Sequence, residues 1–350
     1  MTELPLTELT FWQVFWFVVI GAALFLFLWL DGFDLGIGMT LPFLRNADHR
    51  RAVLNVIWPV WDGNELYGLI GGGAIFATFP TVFATLLSGL YPWVVVLLLG
   101  IMLRPISFEA WNHEPKSKAG WEWLFATCSF VIPFVAGVAI GATIAGMPLN
   151  QDRVWDHGHG FWEALSPLSV LTGLAVVALT LLQGAAYLVK KTAGPLAESA
   201  RASLKPRVGL AAAALVLALL AAVFTLPGLW SRPLAVAGVV TGLVFIAAGL
   251  AGVWLNRKSG PDAAPFWFSS LTVAGTLVLV GGLQFPVMIR STLDPSYSLT
   301  IFGDGVSNPV ESLRLIGVIA AAALAVTAVY SILVYRVFKG KVDHKSNAHY

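Results

Sequence analysis

Two pairs of carboxylates stand three positions apart in otherwise apolar stretches: Asp31 and Asp34 in Asp-Gly-Phe-Asp-Leu-Gly, and Asp62 and Glu65 in Trp-Asp-Gly-Asn-Glu. Residues three apart share one face of a helix, so each pair points one way. Arg104, followed by Pro105, is a basic residue in a third apolar run. A charge at mid-membrane costs about 2.5–3.5 kcal/mol on insertion scales. Each buried acid must therefore meet a cation or carry a proton. Arg104 is the available cation. Protonatable carboxyls in a string are what a proton relay needs, and we place Asp31, Asp34, Asp62, Asn64, Glu65 and Arg104 on such a path. The same groups could instead form a hydrogen-bonded knot that only locks helices. We favour the relay for Asp34 and Asp62, hold the two uses level for Glu65, and read Glu109 as interfacial.

The composition leaves one solvent for the elements that must hold these residues. Only 11% of the 350 residues are charged, 57% are hydrophobic and mean hydropathy is +0.79. A soluble surface needs about twice that charge, so lipid must surround most of the chain. The expected fold is an all-α polytopic membrane protein in a single domain over 1–350. Runs of roughly 20 apolar residues predict nine spans, near 9–43, 52–79, 82–110, 121–146, 166–189, 208–228, 233–255, 265–289 and 312–337. Met1 to Thr10 holds Glu3 and Glu8 and neither a basic start nor a cleavage site, so the first run is expected to stay as a helix. With the N-terminus outside and the C-terminus inside, only Arg153, Arg232, Arg290 and Arg314 of the 21 Lys and Arg residues fall on the outer side. The positive-inside rule favours that orientation.

Depth follows from the same count. Asp34 precedes Arg45 by 11 positions and Asp62 follows Arg51 by 11. At 1.5 Å per residue both are predicted roughly 16 Å from the turn between spans one and two, near mid-membrane. Gly36, Gly38 and Gly71 to Gly73 are expected at close helix contacts. Trp121, Trp123, Trp155 and Trp162 are expected in an interfacial belt, and 190–207 as a basic inner connector.

Absent residues narrow the function. The net charge of +2 gives no reason to expect nucleic acid. Cys128 is the sole cysteine, so no internal disulfide or cysteine-held cluster can form. His49, His113, His157, His159, His344 and His349 are all predicted in loops or the tail. Membrane haems need axial ligands within helices, and Met102 and Cys128 could not serve several. No haem is therefore expected to be ligated by this chain. His157-Gly-His159 is read as surface rather than a metal site.

These residues resemble subunit II of the cytochrome bd-type quinol oxidases. Asp31 to Gly36, Trp61-Asp-Gly-Asn64, Phe76 to Pro80, Arg104-Pro105, Gln183 to Leu188 and Phe285-Pro286 through Ser291-Thr292 carry the likeness over nearly the whole chain. The resemblance implies two four-helix bundles plus a peripheral helix, in a bacterial inner membrane. It also implies a pseudo-symmetric partner, subunit I, carrying two b-type haems and one d-type haem, where quinol is oxidised and oxygen reduced to water. Acids matching Asp34 and Asp62, with the arginine matching Arg104, are associated in that family with a cytoplasmic proton path. The resemblance leaves room for a structural quinone, an oxygen tunnel and small accessory subunits, with lipid and quinone as neighbours. Many relatives carry Trp where this chain has Tyr67, which separates it from any tunnel-gating role at that position. A free-standing proton-coupled transporter is the competing class, since midplane acids and glycine-broken helices suit one. Proton flux by the chain alone, without a haem-bearing partner, would distinguish it.

Overall fold

The computed structural model describes residues 7–113, 118–155, 162, 164–226 and 228–342. His157, His159, His344 and His349 lie outside the described residues. His49 falls in α2 and His113 closes α5, so neither is a loop residue as expected.

Eleven α-helices run in chain order: α1 Glu8–Gly38, α2 Ala47–Ile57, α3 Trp61–Thr78, α4 Pro80–Gly89, α5 Tyr91–His113, α6 Lys118–Ala145, α7 Pro167–Lys191, α8 Gly194–Thr225, α9 Pro233–Asn256, α10 Ala264–Gln284 and α11 Val310–Val337. Their starts follow capping chemistry. Thr7 and Ser166 accept from the backbone N–H of Thr10 and Ser169, and Pro80, Pro167 and Pro233 occupy first-turn positions where a missing N–H costs nothing. Eight helices are each long and apolar enough to cross a membrane, and the bent pair α3 and α4 raises the number to nine among the described residues. The fold is a many-spanning helical membrane protein.

Four expected boundaries move. The span predicted at 52–79 is broken at Trp58-Pro59-Val60, because proline removes an N–H and disfavours helix at the residue before it. The span predicted at 82–110 begins instead at Tyr91, since α4 turns 117° from α3 at Phe79-Pro80. The connector predicted at 190–207 is mostly helix, as α8 begins at Gly194 and carries Arg201, Lys205 and Arg207. The end of the run predicted at 265–289 is a short strand, β1 Val287–Ile289, antiparallel to β2 Leu299–Thr300.

Burial orders the helices. In α7, 72% of the apolar window is buried, against 6% in α11. Helix α7 packs on α1, α6, α8 and α10, α1 packs on α3 and α6, and α5 lies on α6. Helix α9 rests on α10, while α11 touches mainly α3 and α1. On the face where α6 ends and α7 begins, β1, β2 and their loops form a cap. There Met147 N–H donates to Arg290 O (2.8 Å) and Asn308 Nδ2 to Ala77 O (2.7 Å). Trp155, expected in the belt, is buried in this cap against Gly89; Trp123 and Trp162 are exposed.

Candidate functional site

Every residue of α1 from Leu30 to Gly38 is buried. Gly36 explains why α1 and α7 meet so closely. A Cβ there would stand 1.8 Å from Thr180 O on α7. Phe33 stacks on Tyr187 of α7 with ring centroids 3.7 Å apart. By contrast Gly72 and Gly73, expected at close contacts, face open space within this chain. The tight α1–α7 crossing aims Asp31 and Asp34 at α3 and α5.

Asp31 and Asp34 are 0% exposed and Arg104 is 1% exposed. Arg104 Nη1 donates to both Asp31 oxygens, at 2.8 and 3.1 Å. Glu65 Oε2 lies 4.0 Å from the same nitrogen, with 15% of its side chain exposed. Asp34 is served differently. Asn64 Nδ2 donates to Asp34 Oδ2 (2.7 Å) and to Leu30 O (3.2 Å). Asn64 Oδ1 in turn accepts from Tyr335 Oη of α11 (2.9 Å). Asp34 Oδ1 is buried with no hydrogen-bond partner, and no cation among the described residues pairs with Asp34. One carboxylate is thus locked to a guanidinium, and the other is held only by a neutral amide.

Of the six residues placed on the path from sequence, five come together. Asp62 stands apart, exposed in the first turn of α3. The depth count for it assumed one helix from Arg51 onward, and the break at Pro59 removes that premise. It is Asn64, two residues on, that meets α1. Tyr335 joins the site without any sequence signal, since a tyrosine near the end of an apolar span ordinarily reads as an interfacial anchor. Glu122 was passed over as well. It is 3% exposed, pairs with Arg50 (3.2 Å) and accepts from Trp111 Nε1 (3.0 Å). Glu109 is exposed beside His113 (3.0 Å), as an interfacial acid should be. Tyr67 is buried, its hydroxyl 3.2 Å from Ser331 Oγ.

Two cavities border this arrangement. One, of 330 Å³, lies at the ends of α7 and α11 and is lined by Asn55, Pro59, Tyr187, Lys191, Phe338 and Lys341 among others. The second, of 290 Å³, is enclosed by α6 to α10 and reaches Leu28 of α1. Its polar side chains are Thr172 and Thr276, whose hydroxyls donate to Leu168 O (2.8 Å) and Thr272 O (2.9 Å) of their own helices. Among the described residues, no group of three or more His, Cys, Asp or Glu is placed to hold a metal ion.

A family model described as cytochrome bd terminal oxidase subunit II matches residues 12–338. Cytochrome bd ubiquinol oxidase subunit 2 of Bacillus subtilis (strain 168) is 33% identical over 341 residues, covering 94% of this chain and 96% of that protein. Cytochrome bd-I ubiquinol oxidase subunit 2 of Escherichia coli (strain K12) is 31% identical over 378 residues, covering 95% and 97%. The fold also matches a chain of the bd oxidase from Geobacillus thermodenitrificans, with a TM-score of 0.76 at 19% identity over 93% of this chain and 98% of that one. The long apolar helices, the buried acids and the match across almost the full length converge: the chain belongs to the subunit II family of cytochrome bd terminal oxidases.

Proposed function

We propose that this chain is the haem-less subunit of a quinol:oxygen oxidoreductase and gives its partner a proton path from the cytoplasm. The supporting observation is Asp34, a fully buried carboxyl whose one oxygen accepts from Asn64 and whose other oxygen has no partner. Asp31 is fixed by Arg104. Asp34 is therefore the group free to take up and release a proton. The cavity at the ends of α7 and α11, where Tyr187 and Lys191 stand among apolar side chains, is the entry. Glu65 and then Asp62 lead outward along α3 to an exposed face, against which subunit I packs. Oxygen chemistry belongs to that subunit, with two b-type haems and one d-type haem.

Helices α1, α3, α5 and α6 form one half, α7 to α10 the other, and α11 the periphery, in a bacterial inner membrane with the N-terminus outside. A structural quinone does not fit the 290 Å³ cavity. Its ring oxygens call for donors, and both threonine hydroxyls there are committed to their own helices. The free-standing transporter is left without support by the family membership.

The test uses the whole complex, purified through a tag on this chain. Asp34→Asn and Asp62→Asn should assemble with a normal haem spectrum yet slow proton uptake roughly a hundredfold or more, in the range of a lost proton-transfer group. Undiminished uptake in both variants overturns the path. Loss of assembly in Asp34→Asn would favour the polar knot. Purification without a haem-bearing partner would sink the oxidase reading itself.

A further inference from the structure

Four arginines serve the face of the molecule where basic residues are few. Arg314 pairs with Glu8, and Arg153 donates to Asp304 O in the loop cap (2.9 Å). Arg232 and Arg290 do something else. Both converge on the last turn of α10, where Arg290 Nη2 donates to Leu283 O (2.6 Å) and Arg232 Nη2 to Phe285 O (2.6 Å). Neither pairs with an acidic side chain among the described residues. A helix C-terminus offers only about half a negative charge, so two guanidiniums leave net positive charge there. Burial first, and the Arg232 guanidinium second, push Arg290 down to about 10, so Arg290 stays charged at neutral pH. Arg290 Nε is buried with no partner.

The apolar cavity ends at the same place. Leu283, whose carbonyl Arg290 holds, is part of its wall. Along α7 the lining runs from Leu168 to Leu179, roughly 16 Å of helix. That is about half of a ~30 Å hydrocarbon core, the depth of one leaflet. Lipid can reach the cavity sideways, because Val216 of α8 and Leu243 of α9 line it while 56% and 38% exposed. Arg232 directly precedes α9, at the end of the turn that joins these two helices.

We propose that one anionic phospholipid occupies this site, an acyl chain passing between α8 and α9 into the cavity and its phosphate held by Arg232 and Arg290. The wall offers no free donor, which suits a hydrocarbon chain. The uncompensated arginine pair at the chain's outer end suits a phosphate.

Native mass spectrometry of the complex, with the haem spectrum as a check on assembly, should find a retained anionic phospholipid. The double variant Arg232→Gln/Arg290→Gln should retain it roughly tenfold less. Ala218→Phe fills the cavity without touching either arginine and should also expel it. Equal retention in both variants, or an isoprenoid quinone instead of a phospholipid in the wild-type particle, overturns the proposal. If the double variant does not assemble, delipidated wild-type complex is offered phosphatidylglycerol or phosphatidylcholine vesicles. Salt-sensitive preference for phosphatidylglycerol is expected, and equal uptake of the two overturns the proposal.

Discussion

Arg104 and Asp31 illustrate how a buried ion pair constrains its neighbours. Taking either charge out of water is expensive, and the two make up that cost only by facing each other at 2.8 Å. Removing one partner leaves the other uncompensated, which costs about 3–5 kcal/mol. Arg104→Gln should therefore cut the yield of haem-replete complex sharply and lower its thermal midpoint. Adding Asp31→Asn to that variant removes the stranded charge and should restore part of the loss. A double variant as unstable as the sum of both singles would show that the pair acts through something other than mutual neutralisation. The sequence singled out Arg104 as the available cation, but not which of the four carboxyls in apolar runs it would pair with. The role of Asn64 was less legible still, since an amide carries no charge and its contact with Tyr335 spans 271 positions.

Helices position these side chains through contacts that tolerate no added atom. Gly36 lies against Thr180 O and faces Gly184 across the α1–α7 crossing. Gly36→Ala must push the two helices apart, moving Asp34 away from Asn64, and should lower complex yield severalfold by haem absorbance. Gly209 of α8 meets nothing within 4 Å. Gly209→Ala should be neutral or stabilising by up to about 1 kcal/mol, because alanine forfeits less backbone entropy in a helix. If both variants behave alike, close approach is not what Gly36 provides. The same scale shows where sequence reading stops. Long apolar runs announced the spans, since only helices satisfy a backbone in lipid. The breaks at Pro59 and Phe79-Pro80 lay inside those runs, where hydropathy is blind and only the backbone geometry of proline decides. That is why α4 was absorbed into a span and Asp62 was assigned a depth it does not have.

Across the whole molecule, the least-buried helix contributes Tyr335 to the most buried site, so α11 must be held by its ends. At one end Trp16 Nε1 donates to Leu313 O (3.1 Å). At the other, Lys191 Nζ reaches Phe338 O and Gly340 O, Val342 N–H donates to Lys191 O (2.8 Å), and Asp262 is gripped by Lys341 and Arg201. The Asp262 clasp ties α8, the α9–α10 turn and the segment after α11 through one carboxylate. Its hydrogen bond from Lys341 comes first, with Arg201 adding to it, in holding Asp262 below the usual carboxylate range. A folded-state value below the unfolded one means the clasp's contribution is full at neutral pH. It is lost as pH falls through the ordinary carboxyl range near about 4 and toward the depressed value. Asp262→Asn should therefore give residues 338–342 at pH 7 the fast amide exchange, corrected for intrinsic rate, that the wild-type complex reaches only under acid. Raised salt should loosen the wild-type segment part of the way, since the pairs are half exposed and screened. Exchange unchanged by the substitution would mean the backbone bonds to Lys191 hold α11 alone, with the ionic clasp as ornament on the surface.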